Sequence, residues 1–342
     1  MIVDIHVHSS RFPNHYIRDE KYGWKIPKEF IKERGLLDNP LPEPWPDDIW
    51  KSIPEEKIRQ AMDSPIEPYI TETEGVIDKA IIQGDTYIEC FGHTVPNDYI
   101  ADIVKKYPTK FAGVAGLNPT EKGAVKELER CVNELGLIGV GELVTTFGYF
   151  YPNDERCYPV WEKAQELGVP VFIHAEGGRT KNAQLMYGDV NRVDDMARTF
   201  PRLKIILCHL GGPQYEAGID IISKWENVFG DISELPWRAG LDRRTVRKNL
   251  PVVDFGYYLN WLYPLLYYFS QPFGDPDKLL FGSDWRLGSP RRNVEVLNST
   301  NEMLRKLGLP EIPEQHLYNI LHENWKRVFT VDENGMLKNK KG

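Results

Sequence analysis

Only four cysteines occur among the 342 residues (Cys90, Cys131, Cys157 and Cys208), and no two stand as CxxC. This argues against a disulfide framework and predicts reduced, mostly buried thiols. No apolar run approaches the roughly 20 residues that span a bilayer. The richest stretch, 255–269, is short and contains Asn260 and Pro264. Nothing like a secretory leader precedes the first strand-like run, so a cytoplasmic location is the expectation. Positive charge is scarce as well. With 42 Lys and Arg against 50 Asp and Glu, the formal net charge of -8 disfavours broad binding to nucleic acid or anionic membranes. The dinucleotide fingerprint is missing, because GLIGVG at 136–141 has the wrong glycine spacing and reads as a helix stop followed by a strand. No solenoid-like repeat is present.

What is there is an alternation. Short apolar runs recur at 2–7, 76–83, 111–117, 137–143, 169–174, 203–209, 227–232 and 279–284. Each is too short for a buried helix and rich in Val, Ile, Leu or Phe, as strands covered on both faces should be. Amphipathic helical patterns lie between them, among others at 120–135 (with Thr120 as its cap), 154–167 and 292–307. Eight strand–helix alternations predict a single α/β domain over 1–342, a (β/α)8 TIM barrel, in preference to an open doubly wound sheet. Two stretches exceed ordinary barrel loops, at about 10–70 and 235–277. Both follow a strand and are expected on the catalytic face. A closing helix is expected within 313–329.

The first strand reads Asp4-Ile5-His6-Val7-His8. With a period of two, Asp4, His6 and His8 are expected to face the barrel axis, and Val3, Ile5 and Val7 the helices. Three later strands end in ligand-type residues: His174 on the fifth, His209 on the sixth and Asp284 on the eighth. Imidazole nitrogens and carboxylate oxygens gathered at strand ends suit Zn²⁺ or a similar divalent cation.

The pieces DIHVH (4–8), VFIHAE (171–176), LKIILCHLGG (203–212) and LLFGSDW (279–285) resemble the amidohydrolase superfamily, and most closely its amidohydrolase-related branch, which includes aminocarboxymuconate-semialdehyde decarboxylase-like enzymes. The resemblance implies metal ligation by His6, His8, His174 and Asp284. His209 is implied either as a ligand of a second metal or as a catalytic histidine above a single one. Glu142, ending the fourth strand, departs from the decarboxylase-like pattern. It either completes a second site with His174 and His209, giving two metals per chain, or orients His174 or a neighbouring loop.

On this reading the leading expectation is hydrolysis by a metal-activated water, with Asp284 moving protons and His209 assisting. The alternative is non-oxidative decarboxylation of a small aromatic or unsaturated acid. Arg179, Arg238 and Arg286 are expected to hold an anionic small-molecule substrate, with Trp285 either stacking on its ring or packing under the loop. Asp231 is expected to be structural. His15, His93, His316 and His322 are left outside the site. The aromatic stretch at 255–269 suggests a homodimer.

Overall fold

The computed structural model describes residues 1–33, 35–36, 45–177, 180–242 and 256–340. Eight parallel strands run in chain order: β1 (Val3–Val7), β2 (Lys79–Ile82), β3 (Phe111–Gly113), β4 (Val140–Val144), β5 (Val171–His174), β6 (Ile205–Leu207), β7 (Val228–Asp231) and β8 (Leu279–Leu280). Strands β1 to β3 pair in sequence, as do β4 to β8. Two parallel bridges join the groups, Ala115 with Val140 and Val7 with Trp285. The Asp284 N–H donates to the His6 carbonyl at 2.9 Å and the His8 N–H to the Trp285 carbonyl at 2.7 Å, which closes the ring of strands.

Helices follow the strands: α1 (Glu67–Thr73), α2 (Asn97–Lys106), α3 (Ala124–Asn133), α4 (Tyr158–Leu167), α5 (Arg192–Thr199), α6 (Tyr215–Lys224), α7 (Tyr263–Phe269) and α8 (Pro290–Asn298). Three differ from the expected helices. Gly123, at φ 101°, delays α3 past the expected Thr120 cap. A 3-10 turn, Glu155–Cys157, precedes α4, with the Asp154 side chain accepting from the Arg156 N–H. The third expected helix breaks at Ser299 into α8 and a shorter helix, Thr300–Lys306. The long segment after β7 contains α7, so part of it is the barrel's own covering helix and not an addition. Among the described residues, no helix is long and apolar enough to cross a membrane.

One apolar cluster takes side chains from every strand or its immediate extension: Val3, Ile5, Ile81, Ala112, Ile138, Phe172, Ile206, Phe229 and Leu280. This is the barrel interior. Trp325, Val328, Phe329 and Leu337 join it from below, the first two from the 3-10 turn Asn324–Arg327 and its C-cap, the last two from the hairpin of Phe329–Val331 and Leu337–Asn339. Val3 and Ile5 therefore face inward, opposite to the expectation from simple alternation. The cause is a register shift in β1: Asp4 pairs with Ala80, but Val7 pairs with Ile82. The extra β1 residue turns the strand over, so that Asp4 faces outward and His6 and His8 inward. Asp4 does not bind at the axis. It accepts from Tyr69 Oη of α1 (2.9 Å), Ser283 Oγ (2.6 Å) and the Ser283 N–H (2.9 Å), tying β1 to β8 and to a helix.

The segment after β1 packs its own core of Phe12, Tyr16, Trp24, Ile26, Trp50 and Met62. It is a folded wall beside the mouth of the barrel.

Candidate active site

The inward histidines of β1 are each held from behind. His6 Nδ1 lies 2.6 Å from Asp231 Oδ2, and Asp231 is itself fixed by the Ser233 N–H (2.7 Å) and hydroxyl (2.8 Å). His8 Nδ1 lies 3.1 Å from both oxygens of Asp85, which also accepts from Tyr87 Oη at 3.2 Å. With Nδ1–H committed to a carboxylate, each Nε2 presents a lone pair. These two Nε2 atoms are only 3.1 Å apart. Asp284 Oδ1 is 3.2 Å from His8 Nε2, and Glu142 Oε1 is 3.5 Å from His6 Nε2. Lone pairs facing one another at this separation, with carboxylates around them, fit a shared cation. The same carboxylates favour positive charge here, so a proton and a cation compete for the His6 Nε2 lone pair. Burial works against charging His6, but Glu142 and Asp231 outweigh it and push its pKa up to about 10.

Glu142 is the hinge between two donor sets. His6, His8 and Glu142 offer atoms within 4.8 Å of one another, and so do Glu142, His174 and His209. His174 Nδ1 is 2.5 Å and His209 Nε2 3.2 Å from Glu142 Oε1. Burial raises the Glu142 pKa, but the His174 and His6 charges hold it well below the usual carboxylate range. His174 reaches Glu176 with its other nitrogen at 2.8 Å. His209 Nδ1 sits 3.0 Å from the Ser233 carbonyl.

Backbone geometry aims these groups. His209 (φ 53°), Glu234 (φ 62°) and Asp284 (φ 54°) all occupy the left-handed region, just past β6, β7 and β8. Non-glycine residues there cost of order 1–3 kcal/mol each, and such strain gathers at functional sites. Gly141 has φ 139°, and a Cβ on it would lie 2.5 Å from Phe172 Cβ, so only glycine can precede Glu142 here.

A cavity of about 240 Å³ opens above the donor sets. Tyr16, Phe30, Tyr87, Phe91, Phe147 and His93 form much of its wall. Arg286 lines it too, with its guanidinium donating to the carbonyls of Met62 (2.7 Å) and Ala61. Arg238 is placed differently from the expectation. It is buried in an ion network, 2.5 Å from Glu176 and paired with Glu234. Trp285 does not stack in the cavity and takes the packing alternative instead. It is 3% exposed, packs edge-on against Tyr69 at 5.4 Å and faces the helices, because Asp284 takes the inward turn of that strand end. Arg179 lies outside the described residues.

The sequence profile of the amidohydrolase family matches residues 3–331. The chain belongs to the amidohydrolase family. Curated relatives include the 2-keto-4-carboxy-3-hexenedioate hydratase of Sphingobium sp. strain SYK-6, 28% identical over 230 residues, or 62% of this chain and 66% of that protein. The gamma-resorcylate decarboxylase of Polaromonas sp. strain JS666 is 28% identical over 218 residues, 54% of this chain and 66% of that protein. Each match thus spans about two thirds of the relative's length. Among solved structures, the dihydroxybenzoic acid decarboxylase of Polaromonas sp. JS666, with bound manganese and 2-nitroresorcinol, superposes with a TM-score of 0.56. At 18% identity, covering 95% of this chain and 96% of that one, it supports the barrel fold.

Within this amidohydrolase, sequence reasoning missed Asp85, Glu176, Glu234 and His93. Glu176 had a signal, since it stands two residues after His174. Asp85 and Glu234 lie in turns past strand ends, and His93 lies on a two-residue strand of a short hairpin, too short for periodicity to mark the inward residue.

Proposed function

We propose that this amidohydrolase is a divalent-metal-dependent carboxy-lyase, removing CO2 from a small aromatic or conjugated acid. The observation that carries the reading is the cavity. Aromatic side chains form much of its wall and the donor sets its floor, which gives a flat conjugated ring a place to lie. The curated relatives carry the names decarboxylase and hydratase, and this reverses the hydrolytic preference that Glu142 suggested on sequence.

His6, His8, Asp284 and Glu142 would hold the cation, with His174 joining through Glu142. Zinc and manganese both suit such imidazole and carboxylate donors. The bound cation supplies Lewis-acid polarisation of substrate oxygens. When the carboxylate leaves as CO2, the electron pair of the broken C–C bond stays on the ring carbon, and a proton must reach that carbon. Asp284 and His209 border the same space, and they would relay a proton taken from solvent to that carbon. His209, held at Nδ1 by the Ser233 carbonyl, keeps Nε2 toward Glu142 and passes protons along that edge. The substrate is a small anion. Arg286 contributes positive potential at the wall, while Arg238 orients Glu176 and Glu234 and is not a direct anchor.

The test is a panel of hydroxybenzoates and conjugated enoic acids, assayed for CO2 release with the metal-loaded protein. Deuterium uptake at the vacated carbon, when the decarboxylated product is incubated in D2O, is the matching reverse signature. Turnover of esters, lactones or amides without CO2 release would overturn the reading. The hydratase relative favours a second reading, addition of water across a conjugated double bond, which a product heavier by one water would reveal.

A further inference from the structure

His93 is a histidine without an assignment. It sits on a short hairpin past β2, where Thr86–Tyr87 pairs antiparallel with His93–Thr94. The residue is only 6% exposed, yet it lines the cavity above the donor sets. Its Nε2 is buried and has no hydrogen-bond partner among the described residues. Among the described residues, the ring's contacts are aromatic. It stacks on Tyr16 at 4.5 Å and 24°, with Tyr87 and Phe91 at 6.4 and 6.3 Å.

That arrangement is unfavourable for the empty protein. A buried polar atom left unpaired costs about 1–3 kcal/mol, and a phenyl ring at the same place would stack as well without that loss. The imidazole is explained if something that enters the cavity pairs with it. Burial lowers the pKa to about 4, against the pull of Asp85, so the ring is neutral and offers a donor on one nitrogen and an acceptor on the other. A neutral ring does not compensate a second carboxylate. The acids Glu29, Asp85, Glu142, Glu176, Glu234 and Asp284 line the same cavity. Among the described residues, Arg286 is the one lysine or arginine there, and its guanidinium already serves the Ala61 and Met62 carbonyls.

We infer that His93 is a specificity residue, hydrogen-bonding a neutral oxygen substituent of the substrate such as a ring hydroxyl, so that substrates carry that oxygen in addition to the carboxylate that leaves. The inference rests on the carboxy-lyase reading for the leaving group, but its test needs no turnover.

The experiment measures, by calorimetry or competition, binding of phenol, catechol, resorcinol and hydroquinone to the metal-loaded protein and to His93→Phe and His93→Gln. The wild type is expected to favour at least one dihydroxy compound over phenol by about tenfold, the size of one hydrogen bond to a buried polar group. His93→Phe should bring that ratio close to one while leaving phenol affinity unchanged, and His93→Gln should recover part of it. Unchanged thermal midpoints show that the variants are folded. Equal affinity for all four compounds, or no binding of any, overturns the inference. So does a His93→Phe protein that keeps the preference or weakens all four ligands alike. If discrimination follows His93 but no acid loses CO2, the carboxy-lyase reading fails and the subsite stands. If acids lose CO2 and discrimination ignores His93, the subsite fails alone.

Discussion

Asp231 sits behind His6 and Asp85 behind His8, and the two carboxylates decide what those rings can do. Each fixes the proton on Nδ1 and so frees Nε2 as a ligand. Replacing Asp85 by Asn keeps the shape but weakens that hold, and metal affinity is expected to fall by about ten- to a hundredfold. Competition against a chelator measures this, and a change under about twofold would reduce Asp85 to a packing residue. His93 gives a second expectation at this scale. Its native pKa of about 4 lies below the ordinary value of 6.5, so the unfolded chain takes up a proton first as the pH falls. The stability held above pH 6.5 is then lost on the way down to 4. Between pH 7 and pH 5 the loss through this group should be about 2 kcal/mol. Denaturant melts of wild type and His93→Phe at the two pH values check it, since only the wild type should carry this component. The sequence showed His6, His8, His174, His209, Asp284 and Glu142 because each ends or nearly ends an apolar strand. Asp85 and Glu234 were illegible because loop geometry, not strand alternation, turns them inward, and His93 because its two-residue strand is too short to show an alternation.

At the scale of elements, all eight strands lie within the apolar runs or overlap them closely. The hydrophobic demand of a strand covered on both faces is written into its composition. Facing was harder to read. A register shift in β1 reverses its first half, and β4 is shifted likewise, with Val140 opposite Val171 but Leu143 opposite Ile173. Both irregular strands carry donor residues, so the shifts are how apolar side chains below and ligand-type side chains above come to share the inside of one strand. Gly141 makes the β4 shift possible. In Gly141→Ala, strain at φ 139° and contact with Phe172 should cost about 2 kcal/mol or more. Displacing Glu142 should also lower metal content. A shifted denaturant midpoint with full metal content would separate the strand from the donor set.

Over the whole molecule the two ends of the barrel do different work. Chemistry gathers where the strands finish, and the opposite end is filled by Trp325, Val328, Phe329 and Leu337. Phe329 is fully buried there. Phe329→Ala is expected to destabilise the fold by about 3–5 kcal/mol. Metal and ligand affinity per folded molecule should stay unchanged, because the altered layer lies beneath the donor sets. A thermal midpoint that drops together with the affinity of the folded fraction would show that the two ends communicate.

The same lower plug has a consequence for synthesis. Its residues follow all eight strands in the chain, so a growing polypeptide can assemble the ring before it owns the side chains that stop the hole. Until then the apolar floor of the interior faces water. The order of translation therefore makes sealing a late event, and a chain stalled before Trp325 would leave the ribosome as a barrel open at its base.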